Sequence, residues 1–105
     1  YVHVSDLAAA HVKGLEWLLS GRGNRVFNLG SGTGFSVREV IEAARRISNG
    51  TVRVIEGPRR PGDAASLVSA SRRAQEELGW QAERSTLGDM IADAWRWHHS
   101  PGYRE

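Results

Sequence analysis

The sequence contains no cysteine. This excludes a disulfide framework, a zinc–thiolate centre and a cysteine nucleophile. It also leaves the redox compartment unmarked, with the cytoplasm as the default expectation. Lys13 is the only lysine. No tyrosine is followed four residues later by lysine: Tyr1 meets Ser5, and Tyr103 lies too near the end. A G-x-S-x-G elbow is also lacking, so the chain offers no credible nucleophile–base pair. Apolar residues never run long enough to span a membrane. The first residues show no signal-peptide pattern. Because Tyr1 rather than Met opens the chain, the expectation is a processed chain or a piece of a longer one. Repeats, low-complexity tracts and long linkers are missing as well.

What is present is an ordinary globular composition. The 105 residues are 40% hydrophobic and 25% charged, which suits one small domain or part of a larger one. A chain of this size is expected to bury roughly 65% of its unfolded surface, enough for a modest core. The formal net charge is +2 and the isoelectric point is near 9.7. All basic residues but Lys13 are arginines, which keep their protons to high pH, so a small excess of charge moves the isoelectric point far. A nucleic-acid partner would need basic residues clustered on one face, and none is expected.

Strand and helix signals alternate. Val2-His3-Val4 predicts a short strand, with Ser5 or Asp6 capping a helix whose Leu7, His11, Gly14, Leu15 and Leu18 share a face. Gly21 to Asn24 stops it. Arg25 to Leu29 reads as a strand, and Gly30-Ser31-Gly32-Thr33-Gly34 as a tight turn. Ser36 and Glu39 form a capping-box pattern. Val37, Val40, Ile41, Ala44 and Ile47 give the next helix an apolar stripe. Asn49-Gly50 ends it, and Thr51 to Glu56 reads as another strand. Gly57 to Asp63 breaks regular structure, and Leu67 to Ser69 is a candidate short extended piece. Ser71 caps a short helix stopped by Gly79. Thr86 and Asp89 start the last one, with Leu87, Met90, Ile91, Ala94 and Trp95 at helical spacing. Strand–helix–strand over residues 25–56 predicts a βαβ unit in an α/β fold.

Four features carry possible chemistry. The glycine turn follows a strand signal, opens a helix and is followed by Glu56, the context of a dinucleotide fingerprint. Its spacing fails, because Phe35 stands where the third small residue must let helix and strand pack closely. A structural turn lining a pocket is the better reading. Pro58-Arg59-Arg60-Pro61-Gly62-Asp63 reads as an extended loop in which one arginine can enter a cleft. A guanidinium fork there matches phosphate oxygens, with Asp63 a hydroxyl acceptor or a partner for the arginine. A solvated basic loop is the plainer alternative. His98 and His99 are adjacent and face different ways, so no metal pair is expected, and His98 suits packing or a helix C-terminus. Trp17, Trp80, Trp95 and Trp97 are many for this length. Trp95 and Trp97 fall on different helix faces, so at least one should meet another surface.

In order along the chain stand Tyr1-Val-His-Val-Ser-Asp-Leu-Ala-Ala-Ala-His-Val, Val26-Phe-Asn-Leu-Gly-Ser-Gly-Thr-Gly-Phe-Ser-Val, Pro58-Arg-Arg-Pro-Gly-Asp, Glu76-Glu-Leu-Gly-Trp80 and Trp95-Arg-Trp97. Over nearly its whole length the chain resembles the C-terminal part of the UDP-glucose 4-epimerases, within the extended short-chain dehydrogenase/reductase superfamily. The resemblance implies a C-terminal fragment of an NAD(P)-binding Rossmann-type enzyme, about three times longer. Residues 1–35 would end the NAD-binding domain, and residues 36–105 would form the small helix-rich UDP-sugar-binding domain. NAD and the catalytic residues would be held upstream, leaving this chain inactive alone and without catalytic, cofactor-binding or metal-binding residues of its own. The implied reaction interconverts UDP-glucose and UDP-galactose through a 4-keto sugar.

By the same resemblance, Tyr1 ends a substrate motif and Val37 lines the pocket. Arg60 would bind the diphosphate and Asp63 the nucleotide ribose. Leu67 stands at a variable position beside the hexose, where a leucine in place of tyrosine would admit bulkier N-acetylated sugars. A homodimer or a self-associating fragment is expected, with no membrane partner. Rival readings are a UDP-sugar decarboxylase, a nucleotide-sugar dehydratase, or a non-catalytic binding or assembly module.

Overall fold

A computed structural model of the chain describes residues 1–100 and 102. The described residues form four helices in chain order: α1 (Val4–Leu19), α2 (Val37–Ile47), α3 (Arg72–Leu78) and α4 (Leu87–His98). α2 packs on α4, and α1 packs on α3.

Local chemistry explains most boundaries. Ser36 accepts from the Glu39 amide while Glu39 accepts from the Ser36 amide, completing the capping box at α2. Asn49 (φ 52°) and Gly50 (φ 79°) turn the chain left-handed after α2, and the Gly50 amide returns to the Arg45 carbonyl at 2.8 Å. Gly79 (φ 64°) closes α3 in the same way and delivers Trp80 into the core. Thr86 caps α4 through the Asp89 amide. The start of α1 departs from expectation. His3 is the N-cap, its ring Nδ1 accepting from the Ser5 amide at 3.0 Å. The expected strand at Val2–Val4 is therefore a cap and a first helical turn. A ring nitrogen two bonds from Cβ fills the place usually taken by a serine or aspartate oxygen.

The expected βαβ unit is not seen. Among the described residues there is no strand, and residues 25–29 and 51–56 run as irregular chain. Alternating apolar residues make a strand only when a neighbour supplies the other half of the hydrogen-bond ladder. No described segment does so here, and Val26 and Ile55 stay exposed.

The core is smaller than the composition suggests. Its buried apolar residues are Ala10, Ala43, Ala74 and Trp80. Trp80 sits between α1 and α3, with Val2, Phe27, Leu29, Leu78 and Ala82 packed around the cluster. The expected α1 stripe is not the buried face: Asp6 and Ala10 are buried, while Leu15 and Leu18 stay exposed. Small Ala10 and Ala74 allow the close approach. The larger residues, with Trp17, Phe27 and Leu78, line an open groove of about 720 Å³.

Candidate functional site

The glycine turn owes its sequence to a close backbone approach. A Cβ built on Gly30 would stand 2.2 Å from the Ser69 carbonyl oxygen. Ser71 Oγ donates to the Gly30 carbonyl at 2.9 Å. Gly32 takes φ 73°, a left-handed conformation that favours glycine. The turn is thereby laid against residues 64–69, and the two segments with Tyr1 and the first residue of α2 enclose a cleft of about 770 Å³.

Three of the five expected site residues line this cleft: Tyr1, Val37 and Leu67. All three are exposed, so the cleft is open. Tyr1 packs its ring on Phe35, centroids 6.3 Å apart, and its carbonyl accepts from Ser31 Oγ at 3.2 Å. Arg60 and Asp63 are not among the lining residues. Arg60 Nε donates to Asp63 Oδ2 at 3.2 Å on the exposed loop that leads into the cleft wall at Ala64.

That loop is not extended, as its prolines suggested. The Asp63 amide returns to the Arg60 carbonyl at 3.4 Å around Pro61-Gly62, with Gly62 at φ 87°. Proline then glycine at the central positions is the type II turn pattern. Arg59 also folds onto it, donating to the Asp63 carbonyl at 3.1 Å. Both arginines thus converge on one residue, where an extended chain would have splayed them.

The donors at the glycine turn do not fit a dinucleotide pyrophosphate. Helix N-termini bind phosphate through free amides. At α2 the Ser36 and Glu39 amides are already taken by the capping box, and the Glu39 carboxylate occupies the anion's place. Its pKa is lowered by the Ser36 amide first and the Ser36 hydroxyl second.

A second polar cluster was not legible in the sequence. Asp6 is buried and accepts from the amides of Glu83 and Arg84 and from Ser85 Oγ. Its backbone carbonyl accepts from Trp80 Nε1 at 2.8 Å. Burial pushes the Asp6 carboxyl up, but the Ser85 hydroxyl, the two amides and His3 together hold it below its ordinary 3.8. Next to it, His3 Nε2 lies 3.1 Å from Asp93 Oδ2. Asp93 also accepts from Arg84 at 3.0 Å and Arg96 at 2.8 Å. Reading Asp6 only as a helix cap hid this cluster, because its partners lie 77 to 79 residues away.

The remaining aromatic and histidine residues have local roles. Trp17 meets Phe27 edge-on at 5.3 Å and carries the Arg22 guanidinium over its ring at 4.8 Å. The Trp95 ring packs on His99 in a tilted arrangement, centroids 4.1 Å apart. Trp97 is exposed, and His98 lines an apolar groove between α2 and α4. No group of histidines and carboxylates among the described residues could hold a metal ion. None of the described helices is long and apolar enough to cross a membrane.

In fold and sequence the chain is similar to part of the UDP-glucose 4-epimerases. A UDP-glucose 4-epimerase from Stenotrophomonas maltophila, crystallised with bound NAD and formylated UDP-arabinopyranose, superimposes with a TM-score of 0.88 and 38% identity, over 100% of this chain and 31% of that one. The Brucella ovis enzyme in complex with NAD gives 0.82 and 38%, over 90% of this chain and 30% of its own. The UDP-glucose 4-epimerase of Bacillus subtilis is 46% identical over 100 residues, 95% of this chain and 29% of that protein. That of Caenorhabditis elegans is 42% identical over 99 residues. No protein-family model matches. The chain is a relative of the C-terminal portion of the UDP-glucose 4-epimerases, and it spans about 30% of the length of the relatives it matches.

Proposed function

We propose that this chain is the substrate-binding C-terminal part of a UDP-glucose 4-epimerase. Residues 1–35 complete the NAD-binding domain, and residues 36–105 form the UDP-sugar domain. The observation that carries the reading is the cleft between the glycine turn and residues 64–69, where Tyr1, Val37 and Leu67 meet. The similarity to an epimerase crystallised with a UDP-sugar derivative supports it. In this reading Arg60 leaves Asp63 to grip the diphosphate, and Asp63 takes a ribose hydroxyl. A short ion pair on an exposed turn opens at little cost. Leu67 and Val37 give the hexose an apolar, weakly directing wall. Epimerisation requires a tightly held nucleotide and a sugar free to turn, and that division of labour suits this site. NAD, held by the remainder of the enzyme, supplies the oxidation and reduction at the sugar. The chain's own residues bind and orient.

The intact protein is expected to interconvert UDP-glucose and UDP-galactose, and residues 1–105 alone are expected to be inactive. Conversion by the isolated 105-residue chain would place the chemistry elsewhere. Loss of carbon dioxide or water from a UDP-sugar, rather than epimerisation, would move the protein to a decarboxylase or a dehydratase.

A further inference from the structure

The first three residues touch both packing units, which Arg84 also joins, its amide on Asp6 of α1 and its guanidinium on Asp93 of α4. The Trp80 cluster joins α1 and α3, and α2 and α4 form the other pair. On the cleft side, Tyr1 is held by Ser31 Oγ and Phe35. Two residues on, His3 is almost wholly buried and has its polar ring atoms and its amide engaged. Its amide donates to Ser85 Oγ at 2.9 Å, and Ser85 Oγ donates onward to Asp6. Its Nδ1 accepts from the Ser5 amide. That assigns the ring proton to Nε2, which therefore donates to Asp93 on α4. Asp93 is itself braced by Arg84 and Arg96.

We propose that His3, through its bond to Asp93, is a positioning residue that fixes Tyr1 against the sugar nucleotide. The inference rests on the reading of the cleft as a UDP-sugar site. A three-residue segment pinned at its far end leaves Tyr1 little freedom relative to the glycine turn. Releasing His3 from α4 lets Tyr1 drift while the Trp80 core stays packed. Binding sites lose affinity when such supporting contacts slacken.

Two substitutions at one position separate this role from helix capping. Asparagine offers an acceptor where Nδ1 stands and stops short of Asp93. Glutamine reaches Asp93 with its amide nitrogen and gives up the cap. In the full-length enzyme, His3→Asn is expected to raise the KM for UDP-glucose about fivefold, the scale of one lost hydrogen bond. His3→Gln is expected to keep KM near wild type despite a lower Tm. Asp93→Ala removes the same bond from the α4 side, together with the Arg84 and Arg96 ion pairs, and should raise KM at least as much. The double variant His3→Asn with Asp93→Ala should add nothing further. A wild-type KM in both His3→Asn and Asp93→Ala, or a KM defect in His3→Gln alone, would overturn the positioning role and leave only the cap. Wild-type enzyme that turns over no UDP-glucose would instead reject the epimerase reading, and the inference with it.

Discussion

At Asp6 a single buried carboxylate ties the start of α1 to residues 83–85. Replacing it with alanine strands two amides and a hydroxyl away from water, at a cost of about 3 kcal/mol. Thermal or denaturant unfolding of Asp6→Ala measures this. The linkage has a definite sign. The folded-state pKa lies below the ordinary 3.8. The stabilisation is therefore complete above 3.8 and is lost as pH falls through the lower folded value. The stability gap between wild type and Asp6→Asn should hold at neutral pH and narrow on acidification below 3.8. A gap unchanged by acid would remove the carboxylate from the account. Gly30 gives a second test at this scale. With a carbonyl oxygen 2.2 Å from the Cβ site, Gly30→Ala must push residues 64–69 away, destabilising by about 1–3 kcal/mol and weakening nucleotide binding together with stability. Equal affinity for UDP in a folded Gly30→Ala protein would detach the turn from the cleft.

Among the elements, the helices were legible in the sequence and the strands were not. Helix ends are written in local chemistry: Ser36 with Glu39, Thr86 with Asp89, Gly50 and Gly79 each act within a few residues. Removing one such cap, Ser36→Ala, should cost about 1 kcal/mol by thermal unfolding; no loss would mean that packing on α4 alone holds α2. Strands need partners that a local pattern cannot supply, and residues 25–29 and 51–56 have none among those described. The same contrast runs through the site. A resemblance of motifs points to Tyr1, Val37, Arg60, Asp63 and Leu67; the fold gathers Tyr1, Val37 and Leu67 at one cleft and leaves Arg60 and Asp63 outside its lining. The His3–Asp93 bond spans 90 residues and left no local signal. The prolines of the 58–63 loop favour an extended chain locally, and the positive φ of Gly62 folds it into a turn instead.

The molecule is more open than a compact chain of its length. Its Cα radius of gyration is 16.8 Å, against about 13 Å for a compact chain of this length. Its accessible surface is 8383 Å², against about 5,800 Å² for a compact protein of its mass. Leu15, Leu18, Leu19, Val26 and Ile55 contribute to the excess. A surface this apolar attracts another one. The isolated 105-residue chain should therefore self-associate, and analytical ultracentrifugation of it at high concentration should show oligomers; a well-dispersed monomer would contradict this. In the proposed enzyme the same surface is expected to meet the rest of the protein, and the Arg60–Asp63 turn leads into the wall of the cleft at Ala64. Titration of UDP into the full-length protein, wild type beside Arg60→Ala, tests that assignment most directly. The account predicts that wild type binds UDP and that Arg60→Ala binds it at least about tenfold more weakly, the loss of a charged phosphate contact. Equal affinity in the two proteins, or no UDP binding by the wild type, would contradict it.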